Sequence, residues 1–540
     1  MSMRIFLIED RRCAMAEYST RKSWGMSTHR HLAKSAGTIG FLTGTSRVLG
    51  FARDLVIAAA FGTGIAAEAF VVSFRIPNLL RDLVGEGATN SAFVPVLTES
   101  YEKRKEEFWA LVSTLFFTMT AVLVLVSLLG ILFTPQLVRL MAPGFLNSQD
   151  ADKFPLTVQL TRVIFPYILL IGLSALAMGV LNSLKEFASS ALGPILLNLS
   201  MITAGVFFES TYGPMALVIG VLCGGALQLA CQVPPLLKSG FRFTRLAFGL
   251  EAVRRIGKLL VPRAFGSALY QVNVLVDSVL ASFESIVGAG GQSALYYSNR
   301  FFQLPLAIFG LSLAQAILPT FSSQMIRQDI QGFKETFSLA VRSLALVVLP
   351  ASVGLVVLAK PIIRIVFQHG RFDAYSTQVT SSALFFYAFG LLSCCLIKIL
   401  VNAFYSMQDT RTPVKTMALS VGLNVIFCLV LMRPLKLGGL TLASTLSATV
   451  NMGLLYYFLR KKVGPIDESR MVRSFFKIFC ASCLMGVIVF VYNARVLDAH
   501  LESSRLIQSL YLGLGIVVSV LGYLALALVL RIEEIKKFFR

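Results

Sequence analysis

The sequence predicts an all-α integral membrane protein of about fourteen transmembrane helices. They are expected as two six-helix lobes related by pseudo-symmetry, followed by two C-terminal helices. Three observations carry this. Hydrophobic residues make up 56% of the chain and charged residues only 14%, where a soluble domain carries about 25% charged. At roughly 30–40 residues per span with its loop, a chain of 540 residues has room for about 12–15 helices. Residues with similar surroundings also recur in the two halves at a nearly constant offset.

Taken in order, residues 1–34 form a basic N-terminal extension (Arg4, Arg11, Arg12, Arg21, Lys22, Arg30, Lys34) with no signal-peptide pattern. Met1 and Met26 both stand open as starts. The N-lobe, 35–237, holds spans at about 35–61, 66–98, 107–134, 159–184, 187–208 and 213–237. Pro77, Gly85 and Gly87 predict a kink or unwinding in the second span. A basic amphipathic linker follows over 238–259, with Lys238, Arg242, Arg245, Arg254, Arg255 and Lys258. The C-lobe, 260–460, holds spans at about 260–286, 293–321, 337–367, 377–404, 413–432 and 438–459. Residues 461–540 add spans at about 475–493 and 506–530 and a basic tail.

Lys and Arg cluster in the links after even-numbered spans and at both chain ends. By the positive-inside rule both termini are therefore cytoplasmic, and the number of spans is even. The stretch from Lys360 to Arg371 runs against this rule. The net charge of +21 follows from the same rule and needs no nucleic-acid partner. Seven of the eight cysteines lie in apolar segments, where they act as small hydrophobes. Cys480 and Cys483 match a C-x-x-C spacing without a redox context. The four histidines fall outside the spans, and no nucleotide or metal motif is present, so no resident cofactor and no enzyme activity is expected.

The repeat rests on three anchors. Asp54 and Asp277 are 223 residues apart (277 − 54), Pro95 and Pro319 are 224 apart (319 − 95), and Ser183 and Ser406 are 223 apart (406 − 183). Each pair occupies equivalent places in the two lobes. Transporters built from such repeats hold their site between the lobes near mid-membrane.

The first two spans carry Arg47, Arg53, Asp54, Arg75, Arg81, Asp82 and Glu86. An arginine at the centre of a bilayer costs about 2.5–3.5 kcal/mol on insertion scales. So many charges need a hydrated cavity, and one rich in arginine suits an anion. At about 100° per residue, Arg47 and Asp54 differ by only about 20°, as do Arg75 and Asp82. Arg53 and Arg81 are expected to point elsewhere, with Pro77 and the glycines able to swing Arg81 inward. In the eighth span Arg300 has no carboxylate within a helical turn, and Pro305 predicts a kink just beyond it. A guanidinium fork binds phosphate oxygens at two points and stays charged at any cellular pH. Lys398 is a further intramembrane cation, read either as a cavity residue or as one snorkelling to the membrane edge. Asp277 stands open as an ion or proton site or as a polar helix contact.

The stretches Ser46-Arg47-Val48-Leu49-Gly50-Phe51-Ala52-Arg53-Asp54, Pro77-Asn78-Leu79-Leu80-Arg81, Glu86-Gly87-Ala88, Phe93-Val94-Pro95, Met141-Ala142-Pro143-Gly144-Phe145 and Phe165-Pro166-Tyr167-Ile168-Leu169-Leu170 resemble the MurJ (MviN) family. So do Tyr405-Ser406, Gln408-Asp409 and Thr412-Pro413-Val414-Lys415. These are lipid II flippases of peptidoglycan synthesis, in the superfamily of the multidrug and toxin exporters. The resemblance covers about residue 32 to about 460, and the last two spans in pattern only. It implies a central cationic cavity between the lobes and a groove at the last two helices for a lipid tail. It places substrate-binding residues at Arg47, Arg53, Arg81 and Arg300, with acidic companions at Asp54 and Glu86. Asn299 and Gln303 stand where family members often carry acids. Asp82 stands where a second basic residue is common, and Asp277 where an amide occurs.

The resemblance implies a multi-pass protein of the bacterial cytoplasmic membrane that moves lipid II, a polyprenyl-diphosphate-linked disaccharide-peptide, by alternating access. Its partners are then lipid II, membrane lipids and the cell-wall synthesis machinery. Dependence on the membrane potential or on a monovalent cation is left open. The alternatives are a flippase for another polyprenyl-diphosphate oligosaccharide, and a cation-coupled multidrug exporter. The arginine surplus argues against the exporter, and the intramembrane charges argue against a passive scaffold.

Overall fold

The structure, a computed structural model, describes residues 37, 40–84, 93–103, 105–249, 251–500 and 503–538. Within bilayer hydrocarbon a helix satisfies its own backbone polar groups, and among the described residues there is no strand. Fourteen helices follow the order of the expected spans: α1 (40–61), α2 (Ile65–Val84), α3 (Lys105–Leu132), α4 (Lys153–Ser183), α5 (Ala188–Phe207), α6 (Met215–Lys238) and α7 (Glu251–Ala281). They continue as α8 (Gly291–Ile326), α9 (Ile330–Phe367), α10 (Ala374–Phe389 and Leu391–Ser406, bent by 45°), α11 (Arg411–Leu435), α12 (Leu437–Val463), α13 (Glu468–Leu497) and α14 (Arg505–Val529). Among the described residues nine helices are long and apolar enough to cross a membrane, or ten with α10 taken as one bent span. For α1, α2, α5 and α7 the helix is present and the crossing stays an expectation.

Local chemistry sets several boundaries. Asp329 and Asp373 cap α9 and α10 by accepting from the backbone N–H of Gly332 and Ser376. Beyond Pro305, α8 loosens into a π turn over Leu306–Leu311, which is the irregularity that proline predicts. One expectation is corrected. The basic linker does not run to residue 259 before the seventh helix starts, because α7 already begins at Glu251 and takes in Arg254, Arg255 and Lys258. The unwinding expected at Gly85 and Gly87 of the second span falls outside the described residues. The described part of α2 runs to Val84, and a helix runs from Val94 to Lys103.

Within the first half α6 packs on α4 and α5, and α4 also packs on α2 and α3. Within the second half α12 packs on α10 and α11, and α10 also packs on α8 and α9. The C-terminal pair joins the second half, with α13 and α14 both packed on α9. Contacts between the halves include those of α1 and α2 with α7 and α8.

The two halves are sealed at the end that carries the turns 62–64 and 368–373. Phe61, Phe70 and Tyr167 of the first half share one buried cluster with Tyr297, Phe367 and Phe372 of the second. Arg371 donates its backbone N–H to Ala59 O at 2.8 Å, and Tyr297 Oη donates to Gly62 O at 3.1 Å. The turns approach too closely for side chains. A Cβ on Gly62 (φ +59°) would lie 2.3 Å from Arg371 O, and one on Gly370 (φ +57°) would lie 2.2 Å from Ala59 O.

Candidate functional site

The site is built where α1 meets α8. Asp54 of α1 is buried, with 1% of its side chain exposed. Arg53, its neighbour, folds back so that Nε and Nη2 donate to Asp54 Oδ1 at 3.0 and 2.8 Å. The other side of that guanidinium donates from Nη1 to Asn198 Oδ1 of α5 at 3.0 Å. From the opposite lobe, Arg300 Nε lies 2.8 Å from Asp54 Oδ2. Tyr296, one turn before Arg300, ties the group together. Its hydroxyl donates to Asp54 Oδ1 at 2.7 Å and accepts from Arg53 at 3.1 Å and from Arg300 at 2.7 Å. The Arg300 guanidinium also lies 4.6 Å from the Tyr296 ring centroid.

The charge count is the chemical point. Among the described residues two guanidiniums share one carboxylate, so that part of the cluster carries a net positive charge. About a third of the Arg300 side chain, 34%, stays accessible. Such a cluster binds an anion by exchanging part of its internal pairing for the anion's oxygens, and planar guanidiniums suit phosphate.

Arg75 of α2 adds a further cation at the lobe interface. Its Nη1 donates to Gln292 Oε1 of α8 at 3.0 Å, and no carboxylate among the described residues lies within ion-pair distance of it. Asp277 sits in the second lobe, hydrogen-bonded by neutral groups and within electrostatic reach of Arg75. Asn424 Nδ2 of α11 donates to it at 3.3 Å, and Ser444 Oγ of α12 donates at 3.3 Å. Lys398 is half-buried and has no ion-pair partner among the described residues.

Several expectations change. Arg300 does not stand unpaired, since its carboxylate comes from the other lobe, where a count along one helix does not look. Arg53 does not point away but closes the cluster with Asp54. Arg47 is exposed and makes no ion pair among the described residues. It shares a helical face with Asp54 in angle, but seven residues separate them by about 10 Å along the axis. Arg81 lies on α2 with its side chain outside the described residues, as is that of Asp82, and Glu86 is outside them altogether. Asn198 and Tyr296 were not singled out from sequence. Tyr296 carried a signal, its i, i+4 spacing to Arg300; Asn198, a lone amide on an apolar helix, carried a weaker one.

A second charged cluster lies at the sealed end. Lys153, at the start of α4, is buried against Glu68 of α2 at 2.5 Å and reaches Glu284 of the second lobe at 3.4 Å. Ser148 donates to Glu284 at 2.7 Å, and Glu68 accepts the backbone N–H of Gln292 at 2.9 Å. The Lys153 ammonium also sits 4.5 Å from the Phe145 ring centroid. A buried ammonium between two carboxylates from different lobes is a seal that holds only while both lobes supply their part.

The family model described as "Lipid II flippase MurJ" matches residues 57–511. This chain belongs to the MurJ family. A relative from Haemophilus influenzae, "Probable lipid II flippase MurJ", is 35% identical over 473 residues, covering 84% of this chain and 91% of its own. "Lipid II flippase MurJ" of Burkholderia cenocepacia is 34% identical over 444 residues, covering 80% and 84%. A solved structure titled "Lipid II flippase MurJ, inward closed conformation" superposes with a TM-score of 0.77 at 23% identity, covering 93% of this chain and 99% of that one. An inward-facing multidrug transporter of the MATE family gives a TM-score of 0.65 at 14% identity, over 78% and 96%. At these identities the two structures speak for the fold alone. With its apolar helices, the MurJ family places the chain as a multi-pass bacterial membrane protein.

Proposed function

We propose that the chain is a flippase that carries lipid II from the inner to the outer leaflet of the bacterial cytoplasmic membrane by alternating access, for cell-wall synthesis. It breaks no bond. The observation that carries this reading is the cationic surplus at the lobe interface among the described residues, where Arg53 and Arg300 share the single carboxylate of Asp54, with Arg75 nearby. The diphosphate of the substrate meets Arg53 and Arg300, with Arg81, whose side chain lies outside the described residues, expected to join them and Arg47 toward the entrance. Its sugars and peptide occupy the space between the lobes, and the polyprenyl tail stays in lipid.

The placement of Lys and Arg puts both termini in the cytoplasm. The sealed end is then the outer one, and the pair at Asp54 is reached from the cytoplasmic side. Rocking of the lobes breaks the contacts of Lys153 with Glu284 and opens the outer face. An inside-negative potential favours outward movement of negative charge by about 2.3 kcal/mol per charge per 100 mV. Asp277, held only by amides and hydroxyls, is the place where a monovalent cation would act instead. The enzymes that make and consume lipid II are the neighbours this reading expects.

The test is Arg300→Ala in cells that depend on this chain. Lipid II should cease to reach the outer leaflet while the protein stays inserted at its normal level. Normal outer-leaflet labelling of lipid II in that variant would refute the role given to Arg300.

A further inference from the structure

A third concentration of charge lies far from the lobe interface, where α9, α13 and the segment after α14 come together. They enclose a cleft of about 240 Å³ lined by Arg342, Arg470, Arg473, Lys477 and Arg531, with Glu533 and Glu534 as its carboxylates. The carboxylates are committed. Glu534 is buried against Arg342, and Glu533 takes Arg470 at 2.7 Å. Arg473, Lys477 and Arg531 have no ion-pair partner among the described residues. On α13 the residues 470, 473 and 477 fall on one helical face by their three- and four-residue spacing.

The buried floor of the cleft is incompletely satisfied. Arg342 Nε, Ser474 Oγ and Glu534 Oε2 are all buried and lack a hydrogen-bond partner, and all three residues line the cleft. The Arg342 side chain is only 7% exposed and that of Glu534 only 3%. Buried polar atoms without partners are rare, and three at one place point to a bound group or water. Two of them donate and one accepts. A group with acceptor oxygens and hydroxyl donors satisfies all three.

The rim decides what kind of group this is. Val472, Phe476 and Phe479 of α13, beside the cationic face, are exposed by 67%, 67% and 47%. In a membrane protein such residues face acyl chains. A soluble anion gains nothing from that apolar rim, whereas a lipid uses both the rim and the cations.

We infer that this cleft binds the phosphate headgroup of an anionic glycerophospholipid. The phosphate sits among Arg473, Lys477 and Arg531, a headgroup hydroxyl reaches Glu534, and the acyl chains lie along Phe476 and Phe479. Headgroup binding clamps the tail after α14 to α9 and α13, so the C-terminal pair is held to the second lobe by lipid as well as by protein. The site is separate from the Asp54 cluster and does not depend on the substrate proposed there.

The experiment is native mass spectrometry of the purified full chain with phosphatidylglycerol, phosphatidylcholine or inorganic phosphate. The wild type should retain one tightly held phosphatidylglycerol and no matching phosphatidylcholine. In Arg473→Gln/Lys477→Gln that lipid should be held about thirtyfold more weakly, taking about fivefold per surface cation removed. Arg531→Gln should weaken it about fivefold. All these side chains lack ion-pair partners, so thermal unfolding in phosphatidylcholine should be unchanged and report intact folding. Equal retention of phosphatidylglycerol by wild type and double variant would overturn the proposal. Displacement of the lipid by millimolar inorganic phosphate would overturn it as well, by making this a soluble-anion site.

Discussion

Asp54 and Asp277 occupy equivalent positions in the two lobes, one on α1 and one on α7, and they do opposite things. Asp54 is surrounded by cations, with Arg53 beside it and Arg300 across the interface. Asp277 is hydrogen-bonded by neutral donors, Asn424 and Ser444, with the Arg75 guanidinium acting on it through space and without an ion pair. Even the amides correspond: Asn198 of α5 serves the first cluster and Asn424 of α11 the second, 226 residues apart (424 − 198). One backbone arrangement thus carries two chemistries. Where a carboxylate is outnumbered by guanidiniums, the place suits an anion. Where it is left with amides and hydroxyls, the place suits a small cation or a proton.

The same substitution in both places tests this contrast hardest. Asp54→Asn removes the carboxylate that, among the described residues, alone faces Arg53 and Arg300, and breaking a buried pair by deleting one partner costs about 3–5 kcal/mol. Thermal unfolding should fall accordingly, and outer-leaflet labelling of lipid II should be lost. Lys153→Met should come next. It leaves Glu68 buried without its cation and shifts the balance away from the sealed form by about tenfold or more. A thiol placed at Thr63 should then react faster from outside; unchanged reactivity would mean the seal rests on Phe61, Phe367 and Phe372 alone. Arg300→Lys keeps the charge but loses the fork, so flipping should drop by about tenfold with little change in stability. Asp277→Asn should have the smallest effect on folding, under about 1 kcal/mol, because the amide still accepts from Asn424 and Ser444. It should instead alter any dependence on monovalent cations, read by varying sodium and potassium in the flipping assay. A loss of stability equal to that of Asp54→Asn would erase the contrast.

Much of the fold was legible because lipid imposes a simple rule. Apolar stretches the length of a bilayer become helices, and basic links mark their ends. Boundaries failed where charge continues into the helix, as at Arg254 and Arg255 in α7. The site was legible in kind but not in pairing. Arg53, Asp54 and Arg300 stood out as charges in apolar segments, yet which carboxylate meets which arginine depends on how two lobes close. That is invisible to spacing along one helix. For the same reason Arg300 reads as unpaired in sequence and the Lys153–Glu284 contact gives no sign of itself.

The most direct test of the central claim is the binding of undecaprenyl diphosphate to the purified protein, compared between wild type and Arg53→Gln/Arg300→Gln. The double variant should bind at least tenfold more weakly, while uncharged undecaprenol should bind both proteins alike. Equal affinity of the diphosphate for both would contradict the account and return these arginines to bracing the two lobes.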